Sequence, residues 1–188
     1  MGTIGKDFKY KIIKNFLSIN EINLLSYYCE MKHRTNLNYF DFKQSNLGDT
    51  YIYGDPAMES LMMSKKDLME KEANKKLLPT CAFWRTYTKY AVLKKHTDRP
   101  SCEISATINI NGDGTPWPIF MDGTELNLDI GDAAIYLGCE VEHWRDEFKG
   151  DYQFQTFLHY VDAEGKNTEC YMDKRKYWGV SMEGVTIL

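Results

Sequence analysis

Cys102-Glu103-Ile104-Ser105-Ala106-Thr107-Ile108-Asn109-Ile110 alternates without a break. On an extended chain Ile104, Ala106, Ile108 and Ile110 fall on one face, and Glu103, Ser105, Thr107 and Asn109 on the other. Such a strand ordinarily sets one face in a core and the other in water, but in a barrel the polar face can line a ligand cavity. Asn111-Gly112-Asp113-Gly114 follows as a turn signal. Further strands are expected near 117–121 and 124–128, over 133–138 after Gly131-Asp132, and over 153–161. Strands of this length between Gly-rich turns predict a mainly β chain, a double-sheet jelly roll of the cupin-like kind with about two to three helices packed outside it.

Upstream the period changes. To about residue 78 the pattern reads as mostly helical. Ser18-Ile19-Asn20-Glu21 is a capping box, and Ile22, Leu25 and Cys29 follow at helical spacing. A second helix is expected to open at Asp55-Pro56, with Asp as N-cap and Pro at the first helical position. Its stripe of Met58, Leu61, Met62, Leu68 and Met69 reads as packing surface. We find no internal repeat or linker, so the expected layout is one domain over 1–188: a helical support region over 1–79, a β core over 80–162 and an extension over 163–188.

Composition narrows the function. The 188 residues hold 43% apolar and 14% aromatic residues, which excludes a disordered chain. A net charge of −4 and a pI near 5.6 provide no global basic field for a phosphate backbone, so nucleic acid is an unlikely partner. No apolar run approaches the roughly 20 residues of a membrane span, and the first residues lack a signal-peptide core. The five cysteines form no CxxC pair, a pattern expected of free thiols in a reducing cytoplasm.

The chemistry centres on Leu93-Lys94-Lys95-His96-Thr97-Asp98-Arg99. His96 and Asp98 lie two apart, so an extended backbone points both side chains to one face. His143, at the end of a later strand-like run, can join them only if the roll closes. Two imidazoles and a carboxylate take one face of a metal and leave open positions for O2 and a reductant. Oxygen and imidazole ligands suit Fe(II), and would also accept Mn or Zn. Of the remaining histidines, His33 is expected at the C-terminal end of the first helix. His159, between Leu158 and Tyr160, is read as a hydrogen-bonded structural residue.

Arg85-x-Tyr87, Leu93, His96-x-Asp98, the strand over 102–110, Leu128-x-x-Gly131-Asp132, Tyr136-x-Gly138 and His143 together resemble the Fe(II)/2-oxoglutarate-dependent dioxygenases. The nearest branch is prolyl-hydroxylase-like, including forms of marine bacteria and phages. The resemblance covers about residues 80–162. It implies a double-stranded β-helix core with iron at its open mouth, held by His96, Asp98 and His143, and 2-oxoglutarate and O2 as co-substrates. The implied reaction is hydroxylation of an unactivated C–H bond with release of succinate and CO2, with ascorbate as an auxiliary reductant. A peptidyl prolyl residue or a small molecule is the implied substrate; oligomeric state is not legible.

The family holds the far carboxylate of 2-oxoglutarate with an Arg or Lys about ten residues after the distal histidine, where this chain has Gln153. Arg145, two residues after His143 on the ligand face, is the nearest substitute, since its planar fork suits a carboxylate. Its competing role is a buried ion pair with Glu103. Gln155 shares a strand face with Gln153 and offers a neutral hydrogen bond. Tyr87 stands where related enzymes place a tyrosine that bonds the co-substrate. Arg85 is the reserve cation, with a surface charge on an edge strand as its alternative. Lys95 and Arg99 flank the triad and read as solvated loop charges, and Trp84, Trp117 and Trp144 as core or rim aromatics. Two rivals stay open: a cupin-like metal-binding module that senses a ligand without turnover, and a jelly-roll interaction protein with structural histidines.

Overall fold

Strand β5 (Ile104–Gly112) takes up the alternating run and lies inside the larger of two antiparallel sheets. In the computed structural model, residues 8–35 and 49–179 are described. The larger sheet has the order β1-β8-β5-β10-β3-β2, where β1 is Tyr10–Ile13, β2 Thr50–Tyr53, β3 Leu77–Thr88, β8 Ala133–Leu137 and β10 Tyr152–Asp162. The smaller sheet runs β4-β9-β6-β7, with β4 Leu93–His96, β6 Ile119–Met121, β7 Thr124–Leu126 and β9 His143–Arg145. Helices α1 (Ile19–Thr35) and α2 (Pro56–Ala73) cover one face of the larger sheet.

The two faces of β5 divide as its sequence implies. Ile104, Ala106, Ile108 and Ile110 are fully buried in one cluster with Leu25 and Cys29 of α1 and Met58, Leu61, Met62 and Met69 of α2. The opposite face is also buried: Ser105 and Thr107 are 0% exposed and bond to side chains of β10. That polar face therefore lines the interior between the sheets rather than water.

Both helix starts follow the expected chemistry. Ser18 N–H donates to Glu21 Oε2 at 2.7 Å and Glu21 N–H to Ser18 Oγ at 3.3 Å, closing the capping box. Asp55 Oδ1 accepts from the backbone of Ala57 and Met58, while Oδ2 accepts from Tyr28 of α1 at 2.5 Å and from Trp84 Nε1 of β3 at 3.1 Å. One buried carboxylate thus ties both helices to the sheet. Gly131, at φ +86°, holds a left-handed conformation that strains any other residue, and an added Cβ would come 2.6 Å from the Ile22 Cδ1 methyl of α1, so Ile22 would have to shift as well.

The N-terminal region departs from the helical reading in three places. β1 and β2 add strands to the sheet at its two edges, and β3 begins at Leu77, before residue 80. Segments of four residues such as Tyr10-Lys11-Ile12-Ile13 are too short for periodicity to separate strand from helix flank. The run over 102–110 also starts late as a strand. Pro100–Cys102 forms a 3-10 turn, with Cys102 N–H donating to Arg99 O at 2.8 Å. Beyond β10, a second 3-10 segment (Thr168–Lys174) packs against β3, and Arg175 pairs with the buried Glu59 of α2. No helix among the described residues is long and apolar enough to cross a membrane.

Asp55→Ala removes the α2 cap and leaves the Trp84 and Tyr28 donors without their acceptor. The expected loss is about 3 kcal/mol of unfolding free energy in urea titration, combining cap and buried hydrogen-bond terms. A loss under about 0.5 kcal/mol would mean that the carboxylate does not tie these elements together.

Candidate metal centre

Antiparallel pairing of β4 with β9 sets His96 directly opposite His143. Their rings lie 4.3 Å apart between centroids. Each imidazole is oriented by its own backbone: His96 Nδ1 bonds Lys94 O at 2.7 Å and His143 Nδ1 bonds Val141 O at 2.9 Å. A carbonyl only accepts, so both Nδ1 atoms carry the proton and both Nε2 atoms present bare lone pairs. Asp98 Oδ1 stands 3.6 Å from each Nε2. The three residues named from the sequence therefore converge, with ligand atoms all within 4.8 Å of one another.

Asp98 lies just past β4 and is placed by a close approach rather than by strand geometry. Its N–H donates to Gly138 O at 2.8 Å, at the end of β8. A Cβ on Gly138 would land on Cys102 O and within 2.5 Å of Asp98 Oδ2, so only glycine leaves room for the carboxylate. Burial opposes ionisation of Asp98, but the neighbouring imidazoles of His96, His159 and His143 outweigh it and hold the carboxyl below its usual range. His143 is 2% exposed, and burial pushes its pKa down, which favours the neutral ligand form. His96, half-buried, is shifted up by the nearby Asp98 carboxylate. The donor set of two neutral imidazole nitrogens and a carboxylate oxygen fits a divalent first-row ion, Fe(II) included.

The triad opens into a cavity of about 270 Å³, whose walls include Tyr51, Tyr53, Phe83, Tyr87, Tyr136 and Phe157. Tyr87 is buried and lines it. Arg145 lies behind, stacked over Trp117 at 4.7 Å, with Nη1 donating to Trp117 O. The ion pair weighed with Glu103 does not form: Glu103, at the end of the 3-10 turn before β5, accepts instead from Asp162 N–H at 3.2 Å, while Arg145 sits in the smaller sheet against Trp117. Among the described residues Arg145 has no ion-pair partner, and its Nη2 is buried with no hydrogen bond. Burial lowers its pKa to about 10, partly offset by Tyr87 and Tyr136.

The remaining expectations divide. Gln155 is fully buried and already engaged, accepting from Gln153 at 2.8 Å and donating to Thr107 Oγ1 at 3.1 Å. Arg85 is neither a surface charge nor on an edge strand: β3 lies between β10 and β2, and Arg85 pairs at 2.8 Å with the fully buried Asp49. Lys95 pairs with Glu142 and covers Trp144, and Arg99, also exposed, is held by Asp173. Trp84 is core, Trp117 is buried beside Phe148, and Trp144 stacks on Phe120. His33 ends α1 and bonds Thr50 Oγ1. Two parts of the site were given no role from the sequence, although Tyr136 stood among the residues that carry the resemblance. Ser105 bridges Asp98 and His159, and Tyr136 packs edge-on to His143 at 4.8 Å.

No family model matches the chain, and no curated protein sequence matches it. Solved structures do. A Pseudomonas putida prolyl-4-hydroxylase superposes with a TM-score of 0.63 at 18% identity, over 82% of this chain and 92% of that one. A viral collagen prolyl hydroxylase from Paramecium bursaria Chlorella virus-1, solved with 2-oxoglutarate, gives 0.63 at 11% identity, over 84% and 98%. The epimerase SnoN, in complex with Fe3+, α-ketoglutarate and nogalamycin RO, gives 0.68 at 11% identity, over 94% and 92%. Likeness at these identities is likeness of fold, the double-stranded β-helix.

Gly138→Ala should displace Asp98 and weaken Mn(II) binding roughly 10–100-fold by calorimetry, the range seen when groups supporting metal ligands are altered. Unchanged affinity would show that Asp98 does not need this close approach.

Proposed function

We propose that this chain is an Fe(II)- and 2-oxoglutarate-dependent oxygenase. The observation that carries the reading is Arg145, a buried cation with an unanswered guanidinium N–H, two residues beyond His143 on the same strand. A buried charge without a counterion is costly, so its retention beside a His/Asp/His cluster supports a site that receives an anion. The far carboxylate of 2-oxoglutarate supplies that charge and matches the planar fork of the side chain.

Within this reading His96, Asp98 and His143 hold iron. Tyr87 and Arg145 orient 2-oxoglutarate, and Gln155 stiffens the wall behind it through Thr107. Iron with 2-oxoglutarate and O2 supplies oxidative decarboxylation, yielding succinate and CO2, coupled to oxidation of a substrate C–H bond. The chain's own task is positional. The carbonyls of Lys94 and Val141 keep both Nε2 lone pairs aimed at the metal position, and Ser105 donates toward Asp98 Oδ2. The buried walls exclude bulk water around the reacting groups.

The open side of the cavity, with Tyr51, Tyr53, Phe83 and Phe157, is where a substrate would enter. The fold is shared with two prolyl hydroxylases and with an epimerase bound to nogalamycin RO. We therefore assign the substrate to peptidyl prolyl residues or small molecules of comparable size, hydroxylated at a C–H bond.

Incubation with Fe(II), ascorbate and carboxyl-labelled 2-oxoglutarate is expected to release labelled CO2, slowly even without substrate. Release no greater than that of an Asp98→Ala, His143→Ala double variant would overturn the oxygenase reading. Arg145→Met separates the anchor from the fold. Its apo melting temperature should stay level or rise, because a lone buried charge has been removed. Its affinity for 2-oxoglutarate should fall roughly 30-fold or more, equivalent to about 2 kcal/mol. A variant that binds the co-substrate normally would place the anchor elsewhere.

A further inference from the structure

A second cluster of metal-ligand type lies in the same cavity and has no part in the chemistry above. Cys81 on β3 faces His159 on β10 as its direct cross-strand partner, and Cys102 reaches the same spot from the 3-10 turn at Pro100–Cys102. All three are buried, at 1%, 6% and 3% exposure, and each has a ligand atom within 4.8 Å of the other two. All three also form part of the wall of the 270 Å³ cavity.

Ser105 Oγ lies 3.0 Å from Cys102 O and 3.4 Å from Asp98 Oδ2, both of which can only accept. A hydroxyl proton spent on either leaves Ser105 Oγ to accept from the His159 Nδ1–H at 2.7 Å. In that tautomer His159 Nε2 presents a bare lone pair, buried with no hydrogen-bond partner among the described residues. Burial holds the ring neutral, with its pKa lowered to about 4.

We propose that Cys81, Cys102 and His159 form a second metal site, selective for a thiophilic cation of the Zn2+ class. Two sulfurs and a neutral imidazole nitrogen are the soft donor set that favours such an ion over Fe(II) or Mg2+. Three protein ligands with a fourth position open to a cavity is a known arrangement for Zn2+. Arg99 Nη2 approaches Cys81 Sγ at 3.8 Å, placing a positive charge beside the sulfur. Binding releases the thiol protons and places two negative sulfurs on one dication. The ion would pin β3, β10 and the turn that follows Asp98, and so brace the carboxylate of the first site.

Reduced, metal-free protein titrated with Co2+ tests this, because the His96/Asp98/His143 site contains no sulfur. A near-ultraviolet sulfur-to-cobalt charge-transfer band is expected in the wild type and in His96→Ala. It should be absent from a Cys81→Ser, Cys102→Ser double variant, and Co2+ affinity should fall about tenfold or more in His159→Ala. A wild type without the band, or a double variant that keeps it, overturns the proposal. A second measurement needs no variant: Zn2+ should protect Cys81 and Cys102 from iodoacetamide, read by mass spectrometry, and equal labelling with and without Zn2+ would also overturn it. Neither readout depends on oxygenase turnover, so failure here leaves the first site untouched.

Discussion

The pairing of β4 with β9 is the constraint on which the site depends. It places His96 opposite His143 in the smaller sheet, and the backbone carbonyls of Lys94 and Val141 turn both rings so that Nε2 faces inward. Asp98 then has to arrive from the loop beyond β4, and it can do so only because the residue that follows β8, Gly138, has no side chain. Neither sheet alone builds the triad. The smaller contributes two imidazoles, and the larger, through Gly138 and Ser105, seats the carboxylate between them.

The polar interior follows from the same construction. In most two-sheet proteins the inner faces are apolar, and polar residues point out. Here helices α1 and α2 cover the outer face of the larger sheet, so the isoleucines of β5 point outward to them and Ser105 and Thr107 point inward. A polar interior is tolerated because its donors and acceptors are mostly matched: Gln153 to Gln155, Gln155 to Thr107, Ser105 to Asp98 and His159. Among the described residues five buried side-chain atoms are left over, Thr86 Oγ1, Ser101 Oγ, Asn109 Oδ1, Arg145 Nη2 and His159 Nε2, and only the last two belong to ionisable side chains. Unsatisfied buried groups are rare because each costs about 1–3 kcal/mol. They are the natural places to look for what the protein binds.

Much of this was legible in the sequence where the signal was long or chemically specific. The unbroken alternation over 102–110 located the central strand, and Asp55-Pro56 and Ser18–Glu21 located both helix starts. The His96-x-Asp98 spacing with His143 brought together the three residues that the fold does bring together. Short strands escaped because four residues carry no usable period, as at Tyr10–Ile13 and Thr50–Tyr53. Partners of buried charges escaped for another reason. Nothing local in sequence tells that Arg85 meets Asp49, that Glu103 turns to Asp162, or that Arg145 meets no carboxylate among the described residues. Cys81, Cys102 and His159 are likewise scattered along the chain, and only the register of β3 against β10 reveals them as neighbours.

A crystal structure grown anaerobically with Mn(II) and 2-oxoglutarate tests the site most directly. The metal is expected on His96 Nε2, Asp98 Oδ1 and His143 Nε2, with the far carboxylate of 2-oxoglutarate bonded to the Arg145 guanidinium. Metal bound elsewhere, or a co-substrate whose far carboxylate makes no contact with Arg145, would contradict the arrangement of iron ligands and anion anchor described for this protein.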